Sequence, residues 1–263
     1  MSATPHADPG RGVFETMLVL AGRPVELDAH IGRLSTSVEA LYGCALPGEA
    51  QALVIDSARE VEHGKLRLTV VPARGELQLE VTASEIDARR IFPAAERGAA
   101  LRSTVVVGGL GEHKWADRRL LDRAAAAAPG ELPLLLDADG GVLEASRASV
   151  FAVREGQLVT PPTDGRILPS IARRQTIEVA SAEGIETSEE HLTLGDLKAG
   201  EVFLTGSVRG VEPARSLDGV ELPPPGEISG RVAAGLRDRW LRAPAREPAA
   251  AVAGGRRGGQ PER

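Results

Sequence analysis

Gly108-Gly109-Leu110-Gly111-Glu112-His113-Lys114-Trp115 divides this chain of 263 residues. Three glycines in four positions suit neither a helix interior nor a strand interior, so the stretch reads as a flexible crossover between two folded units. Ahead of it, residues 13–20 are rich in β-formers and Ala21-Gly22-Arg23-Pro24 is a turn. Asp28 then stands as the N-cap of a helix carrying Ile31, Leu34, Val38 and Leu41 on one face, with Gly43 as its C′ residue. A second helical stretch covers about 48–62, and residues 65–71 and 76–83 alternate across Pro72-Ala73-Arg74-Gly75 as a hairpin.

Behind a strand at 102–107 and the crossover, a helix is expected from about Trp115 to Ala127, opening on Lys114. Short strands follow at 132–136, 142–143, 150–153 and 157–160, then a helix at 170–183, strands at 201–205 and 208–214, and a helix at 227–241. Without a strict βαβ alternation the fold class is α+β. The expected division is a small N-terminal α+β domain over 1–107, of which 1–9 read as flexible, and a larger barrel-like domain over 108–242. The Ala/Gly/Pro/Arg-rich residues 243–263 read as a disordered tail.

With 31 Lys and Arg against 37 Asp and Glu, the formal net charge is −6, which argues against nucleic acid or an anionic membrane as partner. Cys44 is the one cysteine, so neither an intramolecular disulfide nor a thiolate metal cluster can form. No apolar run reaches membrane-spanning length, and Met1-Ser2-Ala3-Thr4-Pro5-His6 lacks the charged start and apolar run of a leader, so a cytoplasmic protein is expected. Aromatic residues are scarce, with four Phe, two Trp and one Tyr, which leaves little material for an aromatic-walled pocket.

Most motif readings fail. Gly109-x-Gly111 lacks the third glycine of a dinucleotide fingerprint, Gly64-Lys65 is followed by Leu66 rather than Ser or Thr, and Gly206-Ser207 places its serine too early for a nucleophile elbow. The five histidines are scattered and no HExxH occurs, so no metal is expected. What survives is Lys114: at a helix start the dipole and partial burial would both lower its pKa, the condition for Schiff-base chemistry. A solvated loop lysine is the competing reading.

Other residues decide between them. Gly12-Val13-Phe14-Glu15-Thr16, His30-Ile31-Gly32-Arg33-Leu34, Lys114, Glu144-Ala145-Ser146-Arg147-Ala148-Ser149-Val150-Phe151, Thr160-Pro161, Ile167-Leu168-Pro169-Ser170-Ile171-Ala172-Arg173 and Glu201-Val202-Phe203-Leu204-Thr205-Gly206-Ser207 follow one another in the order of the class IV aminotransferases. From about Gly10 to Gly219 the chain resembles that pyridoxal-phosphate-dependent family of fold type IV, which includes branched-chain and D-amino-acid aminotransferases and aminodeoxychorismate lyase. The resemblance implies that Lys114 is the catalytic lysine joined to pyridoxal 5'-phosphate, that Glu144 faces the pyridine nitrogen, and that Arg33 binds the phosphate. It further implies that the turns at Ile171-Ala172 and Gly206-Ser207 cradle the phosphate, and that the active form is a homodimer. For Glu144 the alternative is an edge-strand pair with Arg147.

The chain departs from the family pattern in places. Ser170-Ile171-Ala172 stands where Gly-Ile-Thr or Gly-Ile-Ser is usual, so one hydroxyl ligand is missing; Ser149 replaces a frequent Asn; and both the start and the Arg74-Gly75 turn are short. Phe14, Arg11, Arg74 and Arg209, with Arg119 beside them, are candidate substrate contacts, the arginines suiting a substrate with two carboxylates. The expected reaction is therefore that of 4-amino-4-deoxychorismate lyase, giving 4-aminobenzoate and pyruvate. An amino-acid aminotransferase using 2-oxoglutarate and a catalytically silent relative are the alternatives.

Overall fold

A computed structural model of the chain describes residues 7–242. The tail expected over 243–263 lies outside them. Of the start expected to be flexible, Asp8 is held: its N–H donates to the Asp117 carboxylate at 3.1 Å and its own carboxylate caps the short turn Pro9–Arg11.

The first unit is a four-stranded antiparallel sheet in the order β2-β1-β3-β4, made of β1 (Val13–Leu20), β2 (Arg23–Pro24), β3 (His63–Ala73) and β4 (Glu76–Glu85). Helices α1 (Leu27–Tyr42) and α2 (Ala50–Ala58) cover one face. Strand alternation explains how. Leu66, Leu68 and Val70 of β3 point at Leu34, Val38 and Val54 of the helices, while Lys65 and Arg67 between them stay exposed. In β1 both faces are covered: Val13, Met17 and Val19 join the helix-side core, whereas Leu18 packs into the second unit. The α1 N-cap is Glu26 in a left-handed conformation rather than the expected Asp28, and Gly43 closes the helix with φ +67°.

The second unit contains β5 (Ala99–Val105), α3 (Arg119–Ala127), β6 (Leu132–Leu136), β7 (Val142–Ala145), β8 (Ser149–Arg154), β9 (Gln157–Thr160), α4 (Ile171–Ala182), β10 (Thr187–Glu189), α5 (Leu194–Ala199), β11 (Val202–Gly206), β12 (Gly210–Leu217), β13 (Val220–Glu221) and α6 (Glu227–Arg242). Its sheet runs β10-β9-β8-β11-β12-β5-β6-β7, with β13 beside β12. The tight turn from Ala145 to Ala148, closed by an N–H to carbonyl bond of 2.9 Å, brings β7 against β8 and curls the sheet into a barrel. Leu101, Leu134, Val150 and Leu204 fill its interior. On the outside, α4 and α6 pack on Phe151 and Phe203, whose rings stack 5.3 Å apart.

Two expectations need correction. Strand β5, placed before a boundary at 107, pairs in parallel with β12 and β6, so the change of sheet falls between Glu85 and Ala99. The helix after the crossover begins at Arg119, because residues 114–116 are taken up by β1: Phe14 N–H donates to the Lys114 carbonyl at 2.9 Å and Ala116 N–H to the Gly12 carbonyl at 3.0 Å. Among the described residues no helix is long and apolar enough to cross a membrane.

Gly12 sets this junction. Its φ is +90° and a Cβ there would lie 2.1 Å from the Val70 carbonyl oxygen. Gly12→Ala is therefore expected to lower the urea midpoint by the equivalent of roughly 2 kcal/mol or more, the sum of backbone strain and a clash with immobile backbone. An unchanged midpoint would show that the β1 start can relax without cost.

Candidate active site

Extended backbone at 114–116 sends neighbouring side chains to opposite sides. Trp115 packs into the first core, donates its indole N–H to the Leu110 carbonyl at 2.8 Å and also borders the cleft between the two sheets, which Lys114 lines. The cleft measures about 280 Å³. Burial lowers the Lys114 amine to about 8, Arg33 and Arg118 push it the same way, and Glu15 and Glu144 oppose them. The expected helix dipole plays no part, since α3 starts five residues later; burial replaces it as the cause. The ammonium sits 5.0 Å from the centre of the Phe14 ring, which lines the cleft from β1.

Glu144 reaches the same cleft from the end of β7. Burial pushes its carboxyl up to about 7, against the pull of Lys114 and a 3.4 Å hydrogen bond donated by Leu168 N–H. The alternative pairing with Arg147 is not formed: Arg147 binds Glu212 at 2.8 Å. A buried carboxyl left with one weak donor can bind a protonated heteroatom.

Arg33 is oriented by a residue that the sequence reading quoted without giving it a role. Glu15, on the same face of β1 as Val13 and Met17, accepts from Arg33 Nε and Nη2 at 2.7 and 2.8 Å and pairs with His30 Nδ1 at 2.6 Å. Burial alone would raise Glu15; the charge of Arg33 and the bonds from His30 and Arg33 outweigh it and hold the carboxyl at about 2. Arg33 also donates to the Pro169 carbonyl at 3.0 Å, which ties α1 to the loop before α4. An acid on the buried parity of a strand was the available signal for Glu15.

Ser170 lines the cleft and caps α4, while Ile171 and Ala172 turn their side chains into the core. That first turn can thus offer an anion only its backbone N–H groups. Gly206 and Ser207 line the cleft after β11, and Arg209 follows them there. The buried hydroxyls of Ser149 and of Thr205, cross-strand neighbours on β8 and β11, have no hydrogen-bond partner within the protein. Lysine, carboxylate, guanidinium, helix start and the orphaned hydroxyl of Ser149, which lines the cleft, together form a donor set that fits pyridoxal phosphate.

The substrate candidates divide. Phe14 and Arg209 line the cleft; Arg11 and Arg74 are exposed outside it, and Arg119 is engaged with Asp117 at 2.6 Å. Arg11 and Arg74 are therefore not contacts within their own chain's cleft, because the Pro9–Arg11 turn and the β3–β4 tip project beyond it. In their place stand cations missed in the sequence: Lys65, Arg67, Arg118 and Arg147. Arg67 lies 4.2 Å over the Phe14 ring, and its parity on β3, opposite to that of Leu66 and Leu68, was the signal.

Between about 4.5 and about 7 the folded chain keeps a Glu144 proton that the unfolded chain has released, so stability falls as pH rises through that window. In cofactor-free protein, Glu144→Gln is expected to abolish this fall and to be more stable than wild type at pH 8, but not at pH 4, by a few kcal/mol in urea unfolding. Parallel pH profiles for the two proteins would contradict the raised titration of Glu144.

Known proteins resemble the chain along most of its described length. The chain matches the family Amino-transferase class IV over residues 12–217. It is 29% identical over 239 residues to a Methanocaldococcus jannaschii chain provisionally named a branched-chain-amino-acid aminotransferase, covering 80% of each. A Mycobacterium tuberculosis structure described as a hypothetical aminotransferase in its PLP-bound form superposes with a TM-score of 0.75 at 25% identity, over 91% of this chain and 95% of that one. A 4-amino-4-deoxychorismate lyase from Pseudomonas aeruginosa shares the fold, with a TM-score of 0.73 at 24% identity over 90% of this chain and 95% of that one. With the lysine, the buried carboxylate and the anchored arginine gathered in one cleft, the chain belongs to the class IV aminotransferases, pyridoxal-phosphate-dependent enzymes of fold type IV.

Proposed function

We propose that this enzyme binds pyridoxal 5'-phosphate and acts as a 4-amino-4-deoxychorismate lyase, working as a cytoplasmic homodimer. The observation that carries the reading is the charge of the cleft: Arg33, Lys65, Arg67, Arg118, Arg147 and Arg209 line it with Lys114, while among the described residues Phe14 and Trp115 are the only Phe, Tyr or Trp side chains in its lining. With Arg33 assigned to phosphate, the remaining cations exceed what one carboxylate requires, and the proposed substrate carries two.

When bound, the cofactor supplies an electron sink for the carbon that bears the substrate amine. Arg33, Ser207 and the first amides of α4 would hold its phosphate, and Glu144 would hold the proton of its ring nitrogen. Near neutral pH an amine titrating at about 8 is in part unprotonated, so Lys114 can take the proton from C4 of the substrate. The bond from C3 to the ether oxygen then breaks, pyruvate departs as its enol, and the ring becomes aromatic. Half-buried beside Phe14, Trp115 and Leu110, the lysine is partly shielded from bulk water.

A second reading is transamination. It is favoured by the name of the Methanocaldococcus jannaschii relative and by Leu110, Leu121, Leu168 and Val208, which give the cleft an apolar portion. In that case the same cations would hold the distal carboxylate of 2-oxoglutarate.

Incubated with chorismate, glutamine and an aminodeoxychorismate synthase, the loaded protein is expected to yield 4-aminobenzoate and pyruvate, and Lys114→Ala to yield neither. If no 4-aminobenzoate forms while a branched-chain amino acid or D-alanine reacts with 2-oxoglutarate, transamination is the activity. Glu144→Gln is expected to keep the cofactor's absorbance but to lose about 100-fold or more in kcat, the scale of removing one aligned electrostatic partner. Turnover near wild type would leave Glu144 with a structural role alone.

A further inference from the structure

Arg147 and Arg209 approach the cleft from different turns, one between β7 and β8 and the other between β11 and β12, yet both end on one carboxylate. Arg209 Nη1 lies 2.5 Å from Glu212 Oε1, and Arg147 Nη1 lies 2.8 Å from Glu212 Oε2. The Glu212 side chain is 3% exposed, whereas those of Arg147 and Arg209 are 35% and 29% exposed and line the cleft. One buried anion against two cations leaves a surplus positive charge, and that surplus lies on the cleft side because Glu212 is covered.

The turn carrying Arg209 is fixed from behind. Phe92 N–H donates to the Arg209 carbonyl at 2.7 Å, and Gly210, at φ +65°, lies so close to the Phe92 ring that a Cβ would come within 2.4 Å of it. Arg90 adds a further positive charge near Arg209. A cation pair that is crowded, partly desolvated and held in place is costly for folding alone and is relieved by an anion that accepts from both forks. In the proposed function the cofactor phosphate takes Arg33, held by the separate carboxylate of Glu15, the start of α4 and Ser207, which precedes Arg209 on the same turn, so it does not call on the two guanidiniums.

We propose that Arg147 and Arg209, clamped on Glu212, form a receptor for one carboxylate of the substrate, with Glu212 as its positioning residue. This rests on the lyase reading only in its choice of a substrate with two carboxylates; a dicarboxylate amino donor or acceptor would use the pair in the same way.

Glutarate is the probe, titrated calorimetrically into cofactor-loaded protein. Arg147→Gln and Arg209→Gln are each expected to weaken glutarate about tenfold or more, the worth of charge-assisted hydrogen bonds, and to raise KM for the amino substrate with little change in kcat. Arg209→Lys, which keeps the charge and loses the fork, is expected to fall between Gln and wild type. Retention of the cofactor's absorbance and of the thermal midpoint shows that the variants are folded and that the phosphate site is intact. Unchanged glutarate affinity in both Gln variants overturns the proposal, as does their failure to retain the cofactor, which would assign the arginines to its phosphate. If wild type makes no 4-aminobenzoate but the tenfold loss is seen, the lyase reading fails and the receptor stands.

Discussion

The carboxylate of Glu15 joins parts of the chain that are far apart in sequence. It leaves β1, takes His30 and Arg33 from α1, and through Arg33 reaches the Pro169 carbonyl at the entrance to α4. Removing one partner from a buried ion cluster leaves a stranded charge and commonly costs about 3–5 kcal/mol. Here that cost would fall on the contact between the two sheets as well as on Arg33, because the same guanidinium serves both. Three acceptor contacts on Arg33, two from Glu15 and one from Pro169, fix its plane before any anion arrives, so little conformational entropy remains to be lost on binding.

Lys114 and Glu144 show the opposite use of burial. Glu15 is over-satisfied and stays ionised; Lys114 and Glu144 are under-satisfied, and each is displaced toward its neutral form, to about 8 and about 7. Their mutual attraction resists the displacement without cancelling it. Around neutral pH the cleft therefore holds an amine able to accept a proton and a carboxyl able to share one. These are the two properties that a cofactor ring and a substrate carbon would call upon.

Local chemistry was readable in the sequence wherever a residue's role depended on its own type and its immediate neighbours. Strand β1 begins and ends where its β-formers do, and Gly43 closes α1. The residues that the family resemblance singled out, Lys114, Arg33, Glu144, Gly206 and Ser207, share one cleft. What failed depended on partners distant in the chain. Residues 114–116 carry no mark of pairing with β1, so the helix was begun too early; β5 looks like the end of the first unit until β12 and β6 are seen beside it. Arg74 and Arg67 are equivalent as letters, and only the hairpin register turns Arg67 over Phe14 and leaves Arg74 at the tip.

The cleft reverses the sign of the molecule. A chain with formal charge −6 lines its pocket with Arg33, Lys65, Arg67, Arg118, Arg147 and Arg209. In physiological salt, charges more than about 8 Å away through solvent are largely screened, so an anionic ligand at the mouth responds to the nearby cations and little to the acidic surface. Those cations are of two kinds. Lys65 and Arg67 are exposed on β3, and the hold on Arg67 that bears on its direction is the Phe14 ring beneath it, which suits capture but gives less orientation than a buried carboxylate. Arg33, Arg147 and Arg209 are held by Glu15 or Glu212, each carboxylate almost wholly buried, so their forks have fixed directions. The buried acids thus lower the net positive charge of the pocket while raising its geometric selectivity. An enzyme that must set one substrate carbon against one lysine gains more from direction than from charge.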